Sequence, residues 1–319
     1  MTDVVKVADA GHVRTITLNR PEKKNALSNA LAWGVIAAIE EAAAIDDVWV
    51  IAITGAGDSF CAGLDLTGSD RFTPHSAQSA QLDDIGWVGQ FLLAIRKRCD
   101  KPVVGGVNGV AVGAGLGLAM ATDVRLVSRG ARLMAGYTRI GGSPDAGLTI
   151  TLPQAMGYER AMRFMMENRT VLGEEAVALG MAGEVVDDGR FAERLAAYCQ
   201  ELCQWSPITL RLLKRGMAKS LETNDLEQQL RYELSNIRIA FFQRRRQGGP
   251  QSLPRKAPAR LRRQVSLGVR RSGSQLIKSD PWRLGAPAFQ PPTFTTSMLA
   301  DLPNGSGRRA VLTSLPQPQ

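Results

Sequence analysis

The residues best suited to chemistry in this chain are two glycine-rich turns. Asp58-Ser-Phe-Cys-Ala-Gly-Leu-Asp65 and Val107-Asn-Gly-Val-Ala-Val-Gly-Ala-Gly-Leu-Gly117 each follow a short apolar run. Small residues let a ligand approach the backbone, and the second turn opens a helix predicted over Leu116–Thr122. Amide N–H groups at such a place, helped by the helix dipole, favour negative charge developing on a bound ligand. Each turn taken alone is also what a tight strand-to-helix link needs. The spacing Gly113-x-Gly115-x-Gly117 is not the dinucleotide pattern G-x-G-x-x-G, and no phosphate-loop Lys-Ser/Thr follows it.

Other reactive side chains have plainer readings. Cys199 and Cys203 stand at helical spacing with no nearby histidine, which fits packed thiols rather than a zinc site. Four cysteines in 319 residues do not make a disulfide framework. His12 falls in a predicted first strand and His75 in a polar loop, and both read as structural. No metal is expected.

The elements that must position the turns read as α/β. His12–Leu18 alternates like a strand, and Ala30–Ala44 carries apolar residues at helical spacing. Trp49–Thr54, Pro102–Val107 and Asp123–Val127 are short apolar runs of the kind that form buried parallel strands. Strand, helix, strand at this spacing implies βαβ units. From Gly157 the pattern is almost wholly helical, through Glu159–Asn168, Gly173–Leu179, Phe191–Gln204, Pro207–Ala218 and Asp225–Phe242. Three regions follow: an α/β core over 1–156, a helical region over 157–243 and a tail over 244–319.

The tail differs from the rest in charge. The net charge is +9, yet residues 244–319 hold 14 Lys/Arg and 2 Asp, which leaves 25 Lys/Arg against 28 Asp/Glu before them. The body is slightly acidic, so the basicity argues for no nucleic-acid or membrane role of the body. The tail's Arg, Pro, Ser and Gly cannot bury enough apolar surface to offset ordering, and it reads as disordered. Neither a basic leader with an apolar core nor an apolar run of about 18 residues is present. A cytoplasmic protein is expected.

Taken jointly, the motifs are more specific than either turn. Asn19-Arg-Pro-Glu-Lys-Lys-Asn-Ala-Leu27, Phe60-Cys-Ala-Gly-Leu-Asp65, Lys101-Pro-Val-Val-Gly-Gly-Val-Asn-Gly109, Gly113-Ala-Gly115 and Ala119-x-x-x-Asp123 resemble, in order and spacing, the crotonase (enoyl-CoA hydratase/isomerase) family over roughly residues 4–242. The resemblance implies a spiral of ββα units with a C-terminal helical trimerisation region, assembled as a homotrimer or dimer of trimers. It also implies an acyl-CoA substrate and no cofactor beyond that substrate's coenzyme A moiety. The N–H groups of Leu64 and Ala114 match the family's oxyanion-hole donors, which hold the charge of a thioester enolate. Lys24 matches a basic contact to the coenzyme A phosphates. Ala26, Ala62, Asp65 and Leu66 fall where the family wraps adenine and pantetheine.

The resemblance also bears on which reaction runs. Hydratases of the family carry two glutamates at positions that here are Gly117 and Tyr137, so plain hydration is demoted. Asp145, in Ser143-Pro-Asp-Ala-Gly147, could simply cap the next helix. In the family it resembles the catalytic aspartate of ring-epoxide and dienoyl-CoA isomerases, which would sit in an apolar pocket that raises its pKa. One carboxylate suits an isomerase, taking a proton from one carbon and returning it to another. Tyr137 would shape the pocket. The 4-chlorobenzoyl-CoA dehalogenases, which use such an aspartate as nucleophile, are also similar, but their histidine base near Gly89–Gln90 is missing. A non-catalytic acyl-CoA-binding subunit is a further alternative.

Overall fold

The structure is a computed structural model that describes residues 4–67 and 85–246. His75, with the rest of 68–84, and the tail beyond 246 lie outside the described residues.

The chain opens with a hairpin, β1 (Val5–Ala10) and β2 (Val13–Leu18), in antiparallel register. The first strand is therefore β1, not the His12 segment. Only Val5 of β1 is buried, so it has no alternation to betray it. His12 sits in the hairpin loop. Its ring stacks on Trp49 with centroids 3.6 Å apart, and its Nδ1 lies 2.8 Å from the Asp47 carbonyl, a structural role.

Helix α1 (Asn29–Ala44) follows, with the Ser28 side chain accepting the Leu31 N–H as N-cap. Its buried face, Leu31, Val35, Ile39 and Ala42, repeats at helical spacing. Lys101 closes its other end. Only 1% exposed, it donates to the Ala42 carbonyl at 2.7 Å and to Ile45 O, carbonyls that the helix leaves unpaired. Burial holds the Lys101 ammonium pKa below its ordinary value.

Three ββα passes then build the spiral. They are β3 (Val50–Gly55), β4 (Ser59–Cys61) and α2 (Gly86–Leu93); β5 (Val103–Val107), β6 (Val110–Val112) and α3 (Ala114–Ala121); and β7 (Val124–Ser128), β8 (Arg132–Met134) and α4 (Tyr137–Ile140). In each, the longer strand joins a six-stranded sheet and the short one a four-stranded sheet. With β9 (Val171–Leu172) and β10 (Glu184–Val186) from further along the chain, the orders are β1-β2-β3-β5-β7-β10 and β4-β6-β8-β9. Beyond the opening hairpin every pairing in the larger sheet is parallel. All eight residues of α3 are buried. Such a helix, apolar all round, belongs inside a core, and its run of Ala and Gly lets it sit close to the strands.

The C-terminal part comprises α5 (Leu148–Met156), α6 (Tyr158–Met166), β9 (Val171–Leu172), α7 (Gly173–Ala178), β10 (Glu184–Val186), α8 (Phe191–Leu202), α9 (Pro207–Ser220) and α10 (Leu226–Arg246). The almost wholly helical pattern after 157 leaves room for two short strands in its gaps: β9, which pairs with β8, and β10, which pairs with β7. Strands of two and three residues are too short to carry a period. The helix predicted to stop at Phe242 runs to Arg246, since arginine is a good helix former. The one predicted over Leu116–Thr122 spans Ala114–Ala121, with Thr122 as its C-cap. No helix among the described residues is long and apolar enough to cross a membrane.

Candidate active site

Leu64 and Ala114 are brought together by two braced turns. Asn25, fully buried with φ 55°, accepts the Arg20 N–H at 2.8 Å and donates to the carbonyls of Ala56 at 2.9 Å and Ser59 at 2.7 Å. Asn108 accepts the Gly55 N–H at 3.1 Å and donates to the carbonyls of Gly55 and Gly57, both at 3.0 Å. These two amides fix the path from β3 into β4. Next along the chain, Leu27 and Leu64 form a parallel bridge, with Leu27 N–H on Gly63 O at 2.7 Å and Asp65 N–H on Leu27 O at 3.0 Å. In that geometry the N–H of Leu64 itself is turned to the other side.

Each glycine of the second turn has its own reason. Gly113 adopts φ 53° and ψ −124°, a conformation essentially reserved for glycine, and so starts α3 with Ala114. The Ala114 N–H belongs to the first turn, where a helix supplies no partner. A β-carbon on Gly115 would stand 2.4 Å from Cys61 O, and one on Gly117 2.3 Å from Ala146 Cβ. Gly63, at φ 88°, lies so close to the second turn that a β-carbon there would be 2.6 Å from Val112 O and 3.8 Å from Ala114 N. The Leu64 and Ala114 amides thus flank one contact, and neither has a backbone partner among the described residues.

Tyr137 and Asp145 meet beside this contact. A β-carbon on Gly113 would be 3.9 Å from Tyr137 Oη. That hydroxyl donates to Asp145 Oδ1 at 2.5 Å. Burial, with Asp145 beside it, pushes the Tyr137 phenol well above its usual range, so it remains a donor. Asp145 does not cap the next helix: Gly147 occupies the N-cap of α5 and no side chain caps it. The expectation of a dehydrated carboxylate is corrected too, because Asp145 is exposed in the single chain. It sits in a loop whose next residues, Ala146 at φ 51° and Gly147 at φ 73°, are left-handed. Ala146 packs on Gly117, so the first hydratase-glutamate position has no room for any side chain. The dehalogenase base position, Gly89–Gln90, lies on α2, where Gln90 Oε1 accepts from Arg98 at 2.8 Å.

The expected coenzyme A contacts form a strip along the first turn. Lys24 is exposed, with Nζ 3.9 Å from Asp58, and its carbonyl accepts the Ala62 N–H at 2.9 Å. Ala26 is buried, Ala62 half-buried and Leu66 exposed. Asp65 is buried, and both its oxygens are occupied: Oδ2 pairs with Arg20 at 2.9 Å, and Oδ1 accepts from Thr67 Oγ1 at 2.6 Å and Thr67 N–H at 3.0 Å. Those hydrogen bonds, Thr67 first and then Arg20, hold its carboxyl at about 2. Arg20 also donates to Ala26 O at 2.6 Å, so this pair is a brace under the strip. Sequence reasoning quoted Arg20 within a motif but gave it no role; only its burial next to Asp65 shows one.

Cys61 is buried and its thiol pushed up to about 12 by that burial, so it is a packing residue. Cys199 is likewise buried, while Cys203 is half-buried. Among the described residues no group of three or more His, Cys, Asp or Glu side chains is placed to hold a metal ion.

A two-sheet ββα spiral with backbone donors gathered at the start of a buried helix defines a class of acyl-thioester enzymes. Residues 9–261 match the family described as enoyl-CoA hydratase/isomerase, and the chain belongs to that family. It is 33% identical over 232 residues to the 1,2-epoxyphenylacetyl-CoA isomerase of Escherichia coli (strain K12), covering 72% of this chain and 86% of that protein. It is 29% identical to 4-chlorobenzoyl coenzyme A dehalogenase-1 of an Arthrobacter species, covering 73% and 84%. A crystal structure of a probable enoyl-CoA hydratase/isomerase from Mycobacterium abscessus superposes with a TM-score of 0.67 at 28% identity, over 75% of this chain and 90% of that one.

Proposed function

We propose that this family member isomerises an unsaturated or ring-epoxide acyl-CoA thioester, with Asp145 as the single proton shuttle. The observation that carries the reading is the Tyr137–Asp145 hydrogen bond at the mouth of the Leu64/Ala114 turn, with Ala146 filling the space over Gly117. Hydration needs two carboxylates on one water; among the described residues one carboxylate meets the phenol at this turn, and the first hydratase-glutamate position is Gly117. In the proposed cycle the thioester carbonyl accepts from the Leu64 and Ala114 N–H groups. Asp145 removes a proton from one carbon as charge moves onto that oxygen, then returns it to another carbon as the charge collapses. Tyr137 holds one carboxylate oxygen, so the other faces the substrate. The negative charge rests on amides, and the proposal needs no metal and no cofactor beyond the substrate's own coenzyme A.

The strip Lys24, Ala26, Ala62, Asp65 and Leu66 would bind coenzyme A, with Lys24 at its phosphates. A trimer or dimer of trimers is part of the proposal. It is supported by the exposed Leu213, Met217, Leu221, Leu230 and Phe241 of α9, α10 and the turn between them, large apolar side chains of the kind a partner chain covers.

The test is a panel of 3-enoyl, 2-enoyl, ring 1,2-epoxide and 4-chlorobenzoyl thioesters, each run with wild type and Asp145→Asn. Bond migration that falls by about 100-fold or more in the variant, without a change in melting temperature, is expected. Full isomerase rate in Asp145→Asn would end the shuttle. Chloride release from the last substrate would move Asp145 to a nucleophilic role, a reading its exposure favours; no turnover on any would favour a binding protein.

A further inference from the structure

The larger sheet has a second face that the chemistry above does not use. There Val13, Ala52, Val104, Leu126 and Val186 pack with Phe191, Leu195 and Cys199 of α8. Strand alternation places Thr15, Thr54 and Ser128 on the same face, two residues beyond Val13, Ala52 and Leu126. At the carboxyl ends of the parallel strands the face therefore turns polar, and α8 no longer lies flush on it. A cavity of about 590 Å³ opens between them, lined by these hydroxyls, by Asp58, Asp188 and Gln200, and by an apolar floor around Phe191 and Leu195. Its volume is that of a small-molecule site, and the crevice outside strand carboxyl ends is where open α/β sheets bind ligands.

Two observations define what would fit. Ser128 is only 2% exposed and lines the cavity, yet no hydrogen bond among the described residues engages its hydroxyl. It is in register with Val186 on β10, two residues before Asp188. Among the described residues the lining also holds two carboxylates and no Lys, Arg or His. Lys24, near Asp58 at 3.9 Å, and Arg129, paired with Asp187, stand outside it. A coenzyme A phosphate would meet only repulsion there, so this is not a second acyl-CoA site. Asp188 Oδ1 accepts the Gly130 N–H at 3.0 Å, which orients the carboxylate at the rim.

We propose that this cavity binds a small organic cation with an apolar body: the body lies on Val13, Phe191 and Leu195, and the ammonium group lies between the Ser128 hydroxyl and the Asp188 carboxylate. The site is separate from Asp145 and does not depend on which reaction runs there. The probes are 4-phenylbutylamine, 4-phenylbutanol and 4-phenylbutyrate, titrated into the full chain by calorimetry and ligand-observed NMR. The amine should bind about tenfold or more tightly than the carboxylate. Asp188→Asn and Ser128→Ala should each weaken the amine several-fold, and Asp145→Asn should leave it unchanged. Ala196→Trp, which enters from an exposed position of α8 and fills the cavity, should abolish binding. Equal affinity for amine and carboxylate, undiminished binding in both Asp188→Asn and Ala196→Trp, or no binding of any probe would overturn the proposal.

Discussion

The two halves of the candidate site are built by opposite means. The donor half is backbone, clamped by the amides of buried Asn25 and half-buried Asn108 and by glycines that let two turns touch. The acid/base half is a pair of side chains, one of them exposed, on a loop of left-handed residues. The first half has almost no freedom to change, because any added atom meets backbone. The second can be rewritten by a few substitutions without disturbing the core. This is a physical reason for one fold to host isomerase, hydratase and dehalogenase activities: the charge-holding device is fixed and the proton-handling device is exchangeable.

The contrast can be broken most severely at Gly63. An alanine there would need a β-carbon 2.6 Å from Val112 O at φ 88°, so the Leu64 segment must move off Ala114. Loss of one donor position costs roughly 100–1,000-fold in turnover. Gly63→Ala should show that loss on every thioester the enzyme accepts, with coenzyme A affinity much less affected. A variant that loses only one substrate class would show that the frame is not the generic half.

Gly117→Glu tests whether the exchangeable half can be swapped by side-chain identity alone. Its β-carbon would stand 2.3 Å from Ala146 Cβ, so the Asp145 loop must shift. Overpacking of this kind costs about 1–3 kcal/mol. The variant should melt lower and lose isomerisation without gaining hydration, as measured by denaturation and by product analysis. Hydratase activity at wild-type stability would mean that the loop yields freely.

Tyr137→Phe removes the donated hydrogen bond and leaves the ring. Loss of a charge-assisted bond of about 1.5 kcal/mol predicts a fall in kcat near tenfold with KM little changed. The raised phenol pKa adds a stability signature. A group titrating higher in the folded state stabilises fully below its unfolded value near 10 and loses that contribution as pH rises past it. Wild type should therefore lose stability above pH 10 more steeply than Tyr137→Phe.

These contrasts also mark what the sequence could disclose. The glycines of the fixed half at 63, 113, 115 and 117 were legible as a pattern, each demanded by a close contact or by a backbone conformation reserved for glycine, whereas Asn25 and Asn108 stood inside motifs without a role and show their bracing only in the fold. Asp145 and Tyr137 were legible as positions, but with Tyr137 at the start of α4 and Asp145 eight residues on in the following loop, nothing in their spacing announces a hydrogen bond. Exposure of Asp145 could not be read either, since it depends on what covers the loop. In the fold, β1 escaped because five of its six residues face solvent, β9 because two residues show no period, and α5 because Pro153 lies inside it.

The smallest effect belongs to the brace under the donor half. Arg20 and Asp65 tie Ala26 to the strip that precedes Thr67, and the Asp65 carboxyl is held at about 2 against an ordinary 3.8. A lowered carboxylate pKa gives stability that is present above the unfolded value and lost as pH falls through the folded one. Asp65→Asn should thus lower unfolding free energy at pH 7 by about 1 kcal/mol, allowing for solvent screening of the pair. Denaturant titrations of both proteins should converge as pH drops from about 4 towards about 2. If Asp65→Asn instead matched wild type at pH 7, the donor half would be held by the Asn25 and Asn108 amides alone.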